Sequence, residues 1–204
     1  MKDLVVVVAD KSMQQTLEGL LARPQALGIR QVEMDIYSHP QHDPACAQRG
    51  VEFMSDYSEQ YHYGLLVFDH EGSGREQIHS QELAKAINEE FSRSVWKDRA
   101  KTIVIAPELE VWVWSDSPHV SRIAGWEGGN QQLRSWLIEQ GYLQEDEAKP
   151  TRPKEAFEAA LRRFRTPRSS SLYLELARKV SFQQCSDVAF LELKRTLQDW
   201  FPLL

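Results

Sequence analysis

The sequence predicts an α/β fold: a largely parallel sheet with helices on both faces, followed by a helical half packed on it. Three observations predict this. The runs at residues 4–9, 64–68 and 102–106 are continuously apolar and rich in β-branched residues, as in strands covered on both faces. Stretches of helical apolar period lie between the strand patterns. Beyond residue 106 only helical patterns remain. Strands alternating with helices imply parallel pairing, with every loop after a strand gathered on one edge of the sheet.

Element by element, residues 4–9 form the first buried strand. A helix follows over 12–21 on Met13, Leu17, Leu20 and Leu21, until Pro24 and Gly28 break the pattern. Residues 31–37 alternate Val32, Met34 and Ile36 with polar residues, giving a strand with one exposed face. Residues 39–44 read as a loop and 45–61 as a helix weakened by Gly50. Residues 64–68 are the second buried strand. Gly72-Ser73-Gly74 is a tight turn that lacks the full phosphate-loop, dinucleotide or nucleophile-elbow pattern. The helix at 76–91 carries Ile78, Leu83, Ile87 and Phe91 on its apolar side, and residues 102–106 close the sheet. Further helices are predicted at 108–114, 130–140, 154–164, 172–180 and 187–200. The acid- and proline-rich stretch 144–153 reads as a loop, so one domain is expected over 1–204, with an α/β core at 1–116 and a helical extension at 117–204.

Composition narrows the function classes. A hydrophobic content of 42% and a charged content of 26% place the chain among ordinary globular proteins. No apolar stretch approaches the roughly 18–20 residues of a membrane span, so no membrane partner is expected. The opening Met-Lys-Asp-Leu-Val-Val-Val-Val is too short an apolar run for a secretion signal and fits a buried strand. Cys46 and Cys185 lie far apart, form no C-x-x-C pair and read as reduced thiols, which points to the cytoplasm. The net charge of −6 argues against indiscriminate nucleic-acid binding. Locally the balance reverses: residues 151–180 hold eight Lys/Arg against three acids. Arg162, Arg163, Arg165 and Arg168 are the densest part of that cluster and the candidate contacts to nucleic acid. A solvated helix face is their plainer explanation.

Each buried strand runs into acid. The first ends Val8-Ala9-Asp10, the second Phe68-Asp69-His70-Glu71, and the third Ile105-Ala106-Pro107-Glu108-Leu109-Glu110. On parallel neighbours these carboxylates converge on one crevice. Crowded carboxylates repel and lose hydration, and a hard cation such as Mg²⁺ relieves both costs. Asp10, Asp69, Glu71, Glu108 and Glu110 are therefore candidate metal ligands, with Asp10, Asp69 and Glu71 the candidate catalytic residues. Helix capping and loop solvation are the alternative reading, strongest for Asp10. The histidines show no zinc-ligand spacing, and His70 should point away from its neighbouring acids. Trp112, Trp136 and Trp200 fit apolar helix faces, and core packing is the stronger reading of the tryptophans. Trp126, in Gly125-Trp126-Glu127-Gly128-Gly129, is the one candidate for exposure and base stacking.

Asp10, Asp69-His70-Glu71 and Pro107-Glu108-Leu109-Glu110-Val111-Trp112 together resemble the Toprim-like proteins, specifically small stand-alone bacterial versions found among phage-defence genes. The likeness covers roughly residues 1–116 and continues more weakly to Cys185-x-x-x-x-Phe190. It implies a Toprim-like sheet, a Mg²⁺ site and nuclease action on nucleic-acid phosphodiesters. The family has Glu-Gly where this chain has Asp10-Lys11, and Asp where it has Glu71. Lys11 could place an ammonium where the family holds metal. The resemblance therefore also admits a non-catalytic subunit or interaction protein, partnering an ATPase or nuclease in antiviral defence.

Overall fold

The computed structural model describes residues 1–115, 117–181 and 185–203. The first half alternates as the sequence predicts: β1 (Lys2–Val8), α1 (Lys11–Leu21), α2 (Pro24–Leu27), β2 (Met34–Ser38), α3 (His42–Ser55), β3 (Tyr61–Asp69), α4 (Ser80–Arg93) and β4 (Ala100–Ile105). The four strands form one all-parallel sheet in the order β2-β1-β3-β4. Right-handed crossovers then place α1 on one face and α3 and α4 on the other.

Burial follows the strand composition. Leu4 to Val8 and Leu65 to Phe68 are wholly buried, because both faces of β1 and β3 are covered. β2 is an edge strand with no buried residue, and its start moves from the expected residue 31 to Met34. Residues 76–79 are a turn rather than the start of a helix; α4 begins at Ser80, with the His79 ring accepting from Gln81 N.

The second half is helical, as predicted: α5 (Glu110–Val113), α6 (Pro118–Ile123), α7 (Gly129–Glu139), α8 (Pro153–Arg163), α9 (Ser170–Lys179) and α10 (Val188–Trp200). α2 and α6 are short helices opened by prolines at residues the sequence leaves without regular structure. The expected core boundary, residue 116, lies outside the described residues.

These helices share the hydrophobic core of the sheet, with Phe157, Tyr173, Leu176, Phe190 and Leu197 buried together with the strands. α9 lies so close to α1 that a Cβ on Gly19 would stand 2.6 Å from the Ala177 Cβ, so only glycine fits there. Trp114 donates to the Pro153 carbonyl at 2.9 Å and Trp112 to Asp187 at 2.7 Å, tying the chain after β4 to α8 and to the start of α10. Trp126 is buried in this core against Trp136 and Phe164, so the expected exposure is corrected: the glycines flanking it turn the chain and the ring packs inward. Among the described residues no helix is long and apolar enough to cross a membrane. Cys46 and Cys185 are free thiols, and burial pushes Cys46 up.

Candidate functional site

The topology itself selects the place. β1 and β3 are neighbours, yet their following helices leave toward opposite faces. Such a switch point opens a crevice at the carboxyl ends of the strands. Val8 lies opposite Val67 in the register, so Asp10 and Asp69, each two residues on, emerge level with one another. α3, returning from β2 to β3, begins beside them.

The first of the two acidic groups is built from aspartates. Asp10 is half-buried and is the N-cap of α1, its Oδ1 accepting the Met13 N–H at 2.8 Å. Asp43, in the first turn of α3, accepts the Asp69 backbone N–H at 2.9 Å. Asp69 ends β3, and its Oδ1 is sealed from solvent with no hydrogen-bond partner among the described residues. Burial pushes the Asp69 carboxyl well above its ordinary 3.8, and the charges of Asp43, Glu110, Asp10 and Glu108 raise it further. Asp43 is raised as well, by burial first and then by Asp10. No Lys or Arg forms an ion pair with any of these three among the described residues.

The second group follows β4, after the cis Ala106–Pro107 peptide. Glu108 and Glu110 are 7% and 2% exposed, and both are met by the second half of the chain. Glu108 accepts the Lys154 N–H at the start of α8 at 3.1 Å, while the Lys154 ammonium stands 3.6 Å from its other oxygen. Glu110 accepts from Arg168 at 3.1 Å and from the Tyr173 hydroxyl. Arg168 also binds Glu158 at 2.6 Å and the Tyr173 oxygen at 3.3 Å. Glu158 holds Arg162 at 3.5 Å, so an ion-pair chain runs from the surface to Glu110. Burial raises Glu108, reinforced by Glu110. Burial alone would lower Lys154 and Arg168, but the surrounding acids and Tyr173 outweigh it and hold both raised.

The structure thus brings Asp10, Glu108 and Glu110 near enough for their charges to act on Asp69, and leaves Glu71 exposed but near enough to Glu108 to raise it. His70 turns away as expected and contacts the Ile78 carbonyl at 2.7 Å. The amides of Gly72 and Gly74 are occupied by Glu76, so the turn offers no phosphate cradle. Lys11 is exposed and reaches along its own helix to Gln14 at 3.1 Å. Arg162, Arg163 and Arg165 are exposed beside Phe164 at the end of α8, whereas the Arg168 guanidinium is engaged on every side. Asp43 is the residue that the sequence reading passes over, since no buried strand runs into it as one runs into Asp10.

Does this set suit a cation? Among the described residues no three His, Cys, Asp or Glu side chains stand in an arrangement that could hold a metal ion. Mg²⁺ asks for less: one or two carboxylates, with waters and substrate phosphates completing its shell. The unpartnered Asp69 Oδ1, with Asp43 and Asp10 beside it, meets that requirement. No family model, curated protein or solved structure matches the chain.

Proposed function

We propose that the chain is a Mg²⁺-dependent nuclease of Toprim-like kind, acting on nucleic-acid phosphodiesters at the aspartates where β1, α3 and β3 meet. One observation carries this reading. Asp69 presents a buried carboxylate oxygen without a partner, among like charges, at the switch point of a parallel sheet. A cation drawn from solution would relieve that cost, as a proton does in its absence. Bound Mg²⁺ would polarise a phosphoryl oxygen and favour a hydroxide nucleophile.

The chain's own residues supply the rest. Asp69 would hold the ion with a second aspartate beside it, and the exposed Glu71 would orient water. Lys154, part-exposed on Glu108, would meet an incoming phosphate. Arg162, Arg163 and Arg165 offer a track for the flanking backbone, where neutralising phosphates releases counterions.

The test is cleavage of labelled single- and double-stranded DNA and RNA in Mg²⁺, Mn²⁺ or EDTA. The wild-type protein is expected to cut at least one substrate, with metal only. A lack of cleavage combined with no metal-induced rise in melting temperature overturns the proposal. It would leave the second reading, a non-catalytic subunit of a bacterial defence system partnering an ATPase or nuclease. Two observations favour that reading: Asp10 already caps α1, and both glutamates are ion-paired within the chain.

A further inference from the structure

We propose that Asp43, at the start of α3, is the second carboxylate that holds the cation beside Asp69, in the place that the strand ends of the sequence give to Glu108 and Glu110. This rests on the Mg²⁺ reading above and identifies which side chains hold the ion.

The argument begins with position. α3 is the crossover from β2 to β3, and its first turn opens onto the crevice between the ends of β1 and β3. There Asp43 Oδ1 accepts the Asp69 N–H at 2.9 Å, which fixes the Asp43 carboxylate against the residue whose own Oδ1 is buried and unpartnered. The His42 ring anchors the same turn to β1 through the Ala9 carbonyl at 3.1 Å. α3 is thus fixed to the chain at the ends of both strands, with Asp43 bonded to the Asp69 backbone and within reach of the Asp10 charge.

Charge accounting points the same way. Glu108 and Glu110 already have Lys154, Arg168 and the Tyr173 hydroxyl. A cation there would have to displace Arg168 from a nearly sealed carboxylate. Asp10 and Asp43 each accept a backbone N–H, His42 is the basic group beside Asp43, and Asp69 Oδ1 has no donor among the described residues. A hard divalent ion is drawn to the uncompensated group.

The experiment is titration of the full chain with Mn²⁺, whose unbound fraction is read by electron paramagnetic resonance. Asp43→Asn keeps an acceptor for the Asp69 N–H and removes the charge. Asp43→Ser does the same with a shorter side chain, should the amide fold poorly. Either is expected to weaken Mn²⁺ binding roughly 10-fold or more, at least what loss of an outer-shell partner costs. Glu110→Gln is expected to bind Mn²⁺ as the wild type does, while melting at a lower temperature. Wild-type affinity in Asp43→Asn, or loss of Mn²⁺ in Glu110→Gln, overturns the assignment of Asp43 and leaves the Mg²⁺ reading standing. Wild-type protein that takes up no Mn²⁺ sinks both.

Discussion

The two acidic groups share one sheet edge and one residue chemistry, yet they have opposite surroundings. Glu110 is met by a guanidinium and a phenol, and Glu108 by an ammonium and a helix amide. Asp69 is met by carboxylates. A buried carboxylate can be balanced by a cation of the same chain, by a proton, or by a cation from solution. The glutamates took the first course and became joints between the sheet and α8–α9. The aspartates were left with the other two, and this separates acids balanced within the chain from acids that are not.

The largest expected effect probes that contrast directly. Asp69→Asn should lower metal-dependent cleavage by roughly 100-fold or more, since metal stabilisation of the transition state is worth several kcal/mol and each 1.4 kcal/mol is tenfold. Glu110→Gln, on the paired side, should change the cleavage rate far less. Equal losses in both variants, measured under single-turnover conditions, would break the division between the groups.

Next in size is the joint itself. Arg168→Met leaves Glu110 buried with Tyr173 as its remaining partner. Stripping one partner from a fully buried pair costs about 3–5 kcal/mol. The Arg168 side chain is 37% exposed, so the expected loss is discounted to about 1–3 kcal/mol. In a chain of this size each kcal/mol lowers the melting temperature by about 2–4 °C. A shift under one degree by calorimetry would mean that the glutamate group carries no structural load.

How much of this was legible in the sequence follows from range. β1, β3 and β4 announced themselves through local composition, and their crossovers followed from chirality, so the convergence of Asp10 and Asp69 could be read without coordinates. β2 was placed three residues early because an edge strand half in solvent carries a weaker alternation. Asp43 was missed for a related reason. No apolar run leads into it, and His39-Pro40-Gln41-His42-Asp43-Pro44 looks like a loop until α3 is seen to start inside it. The pairing of Glu110 with Arg168 and Tyr173 spans 58 and 63 residues and depends on how α8 and α9 dock, which no local pattern encodes. The arginine cluster was visible as composition, but that Arg168 turns inward while Arg163 and Arg165 stay in solvent was not.

A subtler effect is the pH dependence of the aspartate side. Asp69 has a folded-state pKa raised above its unfolded value. Its favourable contribution is therefore complete below the unfolded value, near pH 3.8, and fades as pH climbs toward the folded one. Asp69→Asn removes that dependence. In EDTA the variant should match the wild type at about pH 4 and grow progressively more stable than it as the pH rises. Saturating Mg²⁺ should reverse the order at neutral pH, because only the wild type then gains from binding. A constant difference across the pH range would show that Asp69 is not strained by its neighbours.

The smallest effect separates the two duties of Asp10. Its Oδ1 caps α1, and its charge faces Asp69 and Asp43. Asn is as good an N-cap as Asp, so Asp10→Asn keeps the first duty and gives up the second. Asp10→Ala gives up both. Loss of a cap costs about 1 kcal/mol, so the alanine variant should melt about 2–4 °C below the asparagine variant without metal. The asparagine variant should itself melt no lower than the wild type, since repulsion of Asp69 is relieved. If Asp10 serves only α1, Asp10→Asn will bind Mn²⁺ as the wild type does and the ion will rest on Asp43 and Asp69 alone. If Asp10 also serves the ion, the asparagine variant will lose affinity with its melting temperature intact. That pattern, fold kept and ligand lost, is what the comparison between the two acidic groups requires of every residue on the aspartate side.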